Sequence, residues 1–230
     1  MYRIMPLRYF LSTIKRRMLY LPRVSKWDDP YELFLFKQKF INSHGVQMDT
    51  ISQAHRIYGQ CWTTSRDSDA MWRIYSPDKM SVRIKTTIQN IEDITKSAIG
   101  KGLFIMHSHV VYKSQKEIDN YIKTLTCASV MGSNTLQESL FVKRNNFEHE
   151  KEYRMIAWLT DVDENGKPIS YNPEYIELPF ADNFIQEVYL DPRLTTDEAD
   201  MLKSALSLRL GGSCSVSQSK LYKFKQHTIY

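Results

Sequence analysis

One stretch constrains this chain more than any other: His149-Glu150-Lys151-Glu152-Tyr153-Arg154, running directly into Met155-Ile156-Ala157-Trp158-Leu159. The second half predicts a buried strand over Tyr153–Leu159. Side chains alternate faces along a strand, so Glu150, Glu152 and Arg154 share the face that continues as Ile156 and Trp158. Moving ionised groups toward a core costs several kcal/mol each unless they are paired. The row is therefore either a satisfied ion-pair network or an active site.

The chain has 230 residues, enough for one large domain or two small ones; without repeats, low-complexity tracts or long linkers it predicts a single domain over 1–230. Lys plus Arg is 31 against 26 for Asp plus Glu, a balance of +5. That suits an anionic ligand such as a dinucleotide and is too weak to argue for nucleic acid. Cys61, Cys127 and Cys214 are far apart and form no CxxC or Cys/His ligand spacing. A structural zinc site is disfavoured and a reducing compartment favoured. No apolar run reaches the roughly 18 residues of a membrane span, and the first residues lack a signal-peptide pattern. The expectation is a cytoplasmic protein without membrane contact.

Strands are expected at Tyr2–Met5, Leu19–Val24, Tyr58–Thr64, Ser81–Thr86, Leu103–Tyr112 and Ile185–Leu190, with a closing edge strand at Cys214–Ser217. Helical spacing marks Leu7 to Met18, the segment after Pro30, Asp69–Tyr75, Ile88 to Ile94 and Ile118 to Leu125. Asp163-Glu164-Asn165-Gly166 predicts a hairpin turn returning through Tyr175–Leu178. Thr195 and Glu198 have capping-box spacing, Met201, Leu202, Ala205 and Leu208 predict the buried face of the last long helix, and Gly211-Gly212 stops it. Strands and helices mix without regular βαβ alternation. The class is α+β, with mixed or antiparallel sheets and flanking helices.

No GxGxxG, Walker loop, GxSxG or HExxH is present, which disfavours hydrolase triads, phosphoryl transfer and Rossmann redox chemistry. His107 and His109 alternate on a strand; two imidazoles without a third ligand are more simply ordinary strand residues, and no metal is expected. Cys61-Trp62-Thr63-Thr64-Ser65 ends a strand in three hydroxyls, and Trp72 and Tyr75 share a helix face just beyond. Aromatics beside hydroxyls suit a flat heterocycle such as nicotinamide, against the simpler reading of Trp72 as a core anchor and the hydroxyls as caps. The acids of Trp27-Asp28-Asp29-Pro30-Tyr31-Glu32 read as capping and solvated-turn residues.

Three segments together carry a resemblance: Asp28-Asp29-Pro30-Tyr31-Glu32, Met71-Trp72-Arg73-Ile74-Tyr75 and Glu150-Lys151-Glu152-Tyr153-Arg154. They resemble a bacterial family labelled a domain of unknown function, with Asn-Asp-Pro-aromatic-Glu, Met-Trp-x-x-Tyr and Glu-x-Glu-aromatic-Arg motifs. Asp28 stands where Asn is usual, and Ser76–Met80 replaces a Gly-containing turn.

The order of elements also resembles the ADP-ribosyltransferase superfamily. That resemblance implies an ADP-ribosyltransferase-like fold acting on NAD, with Arg3 on the first strand holding the phosphates and Thr63-Thr64-Ser65 shaping the nicotinamide pocket. It makes Glu152 the residue that drives transfer and Glu150 the auxiliary acid. Arg154 then anchors phosphate or orients Glu152, and Trp72 or Tyr75 stacks on nicotinamide. Only Met1-Tyr2 precede Arg3, and the hydroxyl run is Thr-Thr-Ser where Ser-Thr-Ser is usual.

The implied activity is ADP-ribosyl transfer to a macromolecular acceptor, protein or nucleic acid, or NAD cleavage by an antiviral-defence or toxin effector with a regulatory protein partner. The alternative is a non-catalytic ligand- or protein-binding module with a structural Glu/Arg network. A nucleic-acid-acting protein ranks third.

Overall fold

A computed structural model describes residues 1–98, 102–160, 173–212 and 214–229. The chain is mixed α and β. It divides into two compact units, each assembled from separated segments.

The first unit comprises Met1–Leu19, Thr63–Glu92 and Pro179–Tyr230. Its strands lie in the order Ser215–Gln218, Glu187–Leu190, Ser81–Lys85 and Tyr2–Pro6. Tyr2–Pro6 runs antiparallel to Ser81–Lys85, with Arg3 opposite Ile84, and Tyr2 also lies opposite Thr63. Glu187–Leu190 is antiparallel to Ser81–Lys85 and parallel to the edge strand Ser215–Gln218. The parallel pair needs a long crossover, which the helix Thr196–Leu210 supplies. Thr195 and Glu198 form its capping box and Gly211 ends it in the left-handed region, both as the sequence indicates.

Its buried face is not the expected one. Ala199 and Leu206 are buried, whereas Met201 and Leu208 are exposed. The apolar period is real but points away from the core. The helix Leu7–Arg16 buries Phe10 and also Thr13, and Asp69–Tyr75 begins where expected, with Ser68 accepting from the Met71 amide at 3.4 Å.

The second unit comprises Tyr20–Trp62 and Asp93–Leu178. The strand Glu152–Leu159 is flanked by Ile57–Thr63 and Leu103–His109. It is antiparallel to the latter, Tyr153 opposite His109 and Leu159 opposite Leu103. With both edges occupied it cannot take the return strand expected of a hairpin. Tyr175–Pro179 pairs instead with Met18–Pro22, and the expected turn at Asp163–Gly166 lies outside the described residues.

The predicted strand Leu103–Tyr112 breaks at Val110, and Val111–Lys113 departs to pair in parallel with Val142–Arg144. The helix expected after Pro30 is a single 3₁₀ turn, Pro30–Leu33, capped by Asp29. Leu33 through Phe36 then enter the core with Ile57, Ile118, Leu136, Leu140 and Ile156. No helix among the described residues is long and apolar enough to cross a membrane.

Candidate functional site

The charged row lies in the second unit, and its local fold differs from the expected one. Asn145–Glu150 is a 3₁₀ turn that Lys151 closes in the left-handed region at φ 42°. The strand starts at Glu152, so Glu150 is not on it. The two acids nevertheless converge, because both reach Lys143 from adjoining segments.

Lys143 Nζ donates to Glu150 Oε2 at 2.6 Å and lies 3.0 Å from Glu32 Oε1 and 3.4 Å from Glu152 Oε2. The pairing of Val111–Lys113 with Val142–Arg144 sets Tyr112 beside Lys143, and the Glu152 amide donates to the Tyr112 hydroxyl at 2.8 Å.

Arg154 is 0% exposed. Its Nε donates to Glu152 Oε1 at 2.8 Å and its Nη2 to Glu152 Oε2 at 3.0 Å, a two-pronged grip that fits a planar guanidinium to a carboxylate. Nη2 also donates to Glu32 Oε1 at 3.0 Å, and Nη1 to the Leu140 carbonyl at 2.6 Å. The guanidinium faces the Trp27 ring at 4.5 Å, a desolvated cation–π contact. Glu152 itself is 5% exposed.

Three carboxylates, Glu32, Glu150 and Glu152, thus meet two cations, Lys143 and Arg154. Burial pushes the Glu32 and Glu152 carboxyls up, and the two cations pull them down; the balance differs between these two sites. At Glu152 burial is outweighed by Arg154, and the carboxyl is held below its usual range. At Glu32 burial wins over Arg154 and Lys143, and the carboxyl sits above its usual range. Burial lowers the Lys143 and Arg154 proton affinities, but the facing carboxylates more than reverse it, so both cations stay charged.

Burial pushes the Tyr112 phenol up to about 12 and drives the Cys61 thiol well up, with the Glu152 charge adding to the latter. A Cys61 thiol held in this way carries little thiolate character. The cluster therefore holds Glu152 ionised in a fixed orientation and raises the proton affinity of Glu32.

The remaining expected site residues belong to the first unit. Arg3 is half-buried on the strand Tyr2–Pro6. Thr63 is buried and its hydroxyl accepts from the Ser65 amide at 3.0 Å, while Thr64 is exposed and Ser65 half-buried. Trp72 is fully buried; its indole Nε1 donates to Asp67 Oδ1 at 2.8 Å, and Tyr75 is exposed. Asp67 in turn accepts from Ser219 at 2.6 Å and pairs with Arg83 at 2.5 Å. No group of three or more His, Cys, Asp or Glu among the described residues is placed to hold a metal ion.

No sequence signal marks Lys143, which follows the apolar Leu140 and Phe141 without periodicity. Glu32 was visible only as part of an acidic turn. The signal that points to it is Pro30 at the first position of a turn leading into Leu33–Phe36, since that turn must carry Glu32 inward with the apolar run.

The family described as Protein of unknown function (DUF2971) matches residues 71–155. The match takes in the Met71–Tyr75 motif, Tyr112, Lys143 and the whole Glu150–Arg154 row, and stops short of Glu32, Cys61 and Arg3. No curated protein and no solved structure matches the chain.

Proposed function

We propose that this protein is an ADP-ribosyltransferase-like enzyme that acts on NAD, with Glu152 as the group that stabilises the transition state. The observation that supports this most is the grip of Arg154 on both oxygens of Glu152, which holds that carboxyl ionised and in one orientation. The superfamily's phosphate-holding Arg, hydroxyl-bearing strand and acidic strand follow one another along the chain in the order of Arg3, Thr63-Thr64-Ser65 and Glu152.

The chemistry suits the electrostatics. The C1′–nitrogen bond of the nicotinamide riboside breaks, nicotinamide leaves with the electron pair, and C1′ gains oxocarbenium character. A carboxylate held ionised and oriented, as Arg154 holds Glu152, stabilises that charge. Water or an acceptor hydroxyl then adds to C1′, and its proton passes to Glu150.

A second reading has a specific observation in its favour. Both oxygens of Glu152 are engaged by Arg154, and the residue is almost wholly buried. On this reading the chain is a non-catalytic binding module, and the five groups are an internal ionic framework.

Incubation of the purified protein with NAD, followed by assay of free nicotinamide, separates the two. The enzyme reading expects release that Glu152→Gln removes while the protein stays folded. Absence of release from the unaltered protein, across acceptors and pH, overturns it and leaves the module.

A further inference from the structure

Residues 201–230 carry Lys203, Arg209, Lys220, Lys223 and Lys225 and no acid. Basic and acidic residues are therefore equal in number over residues 1–200, and the whole +5 of the chain belongs to this stretch. A balance that means little when spread over a whole chain is concentrated here. Three of the five charges fall within Lys220-Leu221-Tyr222-Lys223-Phe224-Lys225, where lysines interleave with aromatic rings.

The first unit anchors the root of this segment and leaves the rest in water. Ser219 is buried; its hydroxyl donates to Asp67 Oδ2 at 2.6 Å and its amide to the Leu190 carbonyl at 3.1 Å. The Lys223 amide closes a turn on the Lys220 carbonyl at 3.0 Å. The Tyr222 hydroxyl donates to Asp69, a carboxylate that Arg73 Nε also grips at 2.9 Å, so its charge is already balanced. That tether fixes the Tyr222 ring without covering it, since 46% of the residue stays exposed. Residues 222–229 are exposed and lie in no helix or strand, with Phe224 at 86%. Rings and lysines so placed contribute little burial to the fold. They offer a partner two things, cations and flat apolar faces.

We propose that residues 220–225 bind single-stranded nucleic acid, the lysines meeting phosphates and the Tyr222 and Phe224 rings stacking on bases. A single strand presents the complementary pair, an anionic backbone and unpaired flat rings. Every base has a π-face, so the binding is indifferent to sequence. An anionic membrane matches the charge but not the backbone: irregular chain among lipid tails would leave its amides unpaired. Three lysines also fall short of the roughly four to eight of a lipid-binding basic cluster. An acidic peptide would meet the lysines and give the rings no flat partner, and a duplex hides its base faces in the stack. The inference stands apart from the NAD reading, because it needs no catalysis.

Fluorescence anisotropy of a labelled oligothymidylate of about 20 nucleotides, longer than so short a site needs, tests the proposal. The full chain is titrated in at salt from about 50 to about 200 mM. Three lysines at roughly 0.7 counterion each give log K against log salt a slope of about −2, so binding weakens about twentyfold across that range. Lys223→Glu with Lys225→Glu should weaken binding roughly tenfold or more and flatten the slope. Phe224→Ala should weaken it about tenfold and leave the slope unchanged, because stacking is not screened by salt. Lys203→Glu with Arg209→Glu, at exposed positions of the helix Thr196–Leu210, makes the same change in net charge and should weaken binding far less. Circular dichroism checks that each variant is folded. Absence of binding at the lowest salt overturns the proposal. So does equal loss from the two charge-reversal pairs, or no loss from Phe224→Ala. A duplex of the same length bound as tightly, or tighter binding to vesicles containing phosphatidylserine, overturns it as well.

Discussion

Arg154 and Trp27 face one another at 4.5 Å, guanidinium over indole, and the approach is possible because residue 59 has no side chain. A Cβ on Gly59 would stand 2.6 Å from Trp27 Cζ2 and 3.0 Å from Ile156 Cδ1. The close packing of strand against indole thus sets the roof over the buried guanidinium, a link between a glycine in an apolar strand and the charge cluster.

Gly59→Ala should therefore destabilise the protein by about 1–3 kcal/mol, the usual cost of overpacking a close-packed interior. Because the indole must move, a change in tryptophan emission should accompany the lower urea midpoint. An unchanged midpoint would show that Trp27 is not held there.

Arg154→Ala removes the group that, among the described residues, contacts both Glu152 oxygens and Glu32 together. Two buried carboxylates are left with Lys143 as their cation among the described residues. The expected loss is about 3–5 kcal/mol, as for other broken buried ion pairs, measured by urea unfolding. Arg154→Lys should recover only part of it, since an ammonium cannot reproduce the two-pronged grip.

Glu32 and Glu152 should make opposite contributions to the pH dependence of stability. Glu32 is raised in the folded state, so its contribution is fully present below its unfolded value and is lost as pH rises through its folded one. Glu152 is lowered, so its contribution is present above the unfolded value and is lost as pH falls through its folded one. Subtracting the Tm–pH curve of Glu32→Gln from that of the unaltered protein should leave a difference that declines as pH rises from the acid side. A difference that grows with pH would contradict the assignment.

Asp67 links Trp72, Arg83 and Ser219 in the first unit. Arg83 is buried beneath the rings of Tyr189 at 4.4 Å and Tyr2 at 5.2 Å, and burial pulls its proton affinity down. Asp67→Ala strips the counter-charge from a buried cation and should cost roughly 3 kcal/mol. Asp67→Asn, which keeps an acceptor for Trp72, should cost less. Thermal unfolding of the two variants side by side checks the order.

The sequence was most readable where local chemistry acts alone. The helix Asp69–Tyr75, the capping box at Thr195 and Glu198, and the stop at Gly211 need only neighbouring residues to specify them. The ionic row was visible because charge breaks an apolar pattern. Its partners were not, since Lys143 and Glu32 reach it through contacts that local periodicity does not encode. The outward stripe on Thr196–Leu210 shows the limit of periodicity in another way. A 3.6-residue repeat identifies an apolar face without saying whether it meets the core. Likewise, the hairpin signal placed a strand at Tyr175–Leu178 but named the wrong neighbour, because pairing is decided by which sheet edges remain open.

The interleaving of segments within the first unit bears on how the molecule is made. Lys85 on the strand Ser81–Lys85 meets Glu187 on its neighbour, a partner 102 residues further along. A ribosome adds about 5–20 residues per second, so the earlier strand emerges roughly 5–20 s before the later one exists. Throughout that interval the edge of Ser81–Lys85 that later pairs with Glu187–Leu190 has its N–H and C=O groups open, so the window in which strand-to-strand aggregation competes with folding is set by chain length.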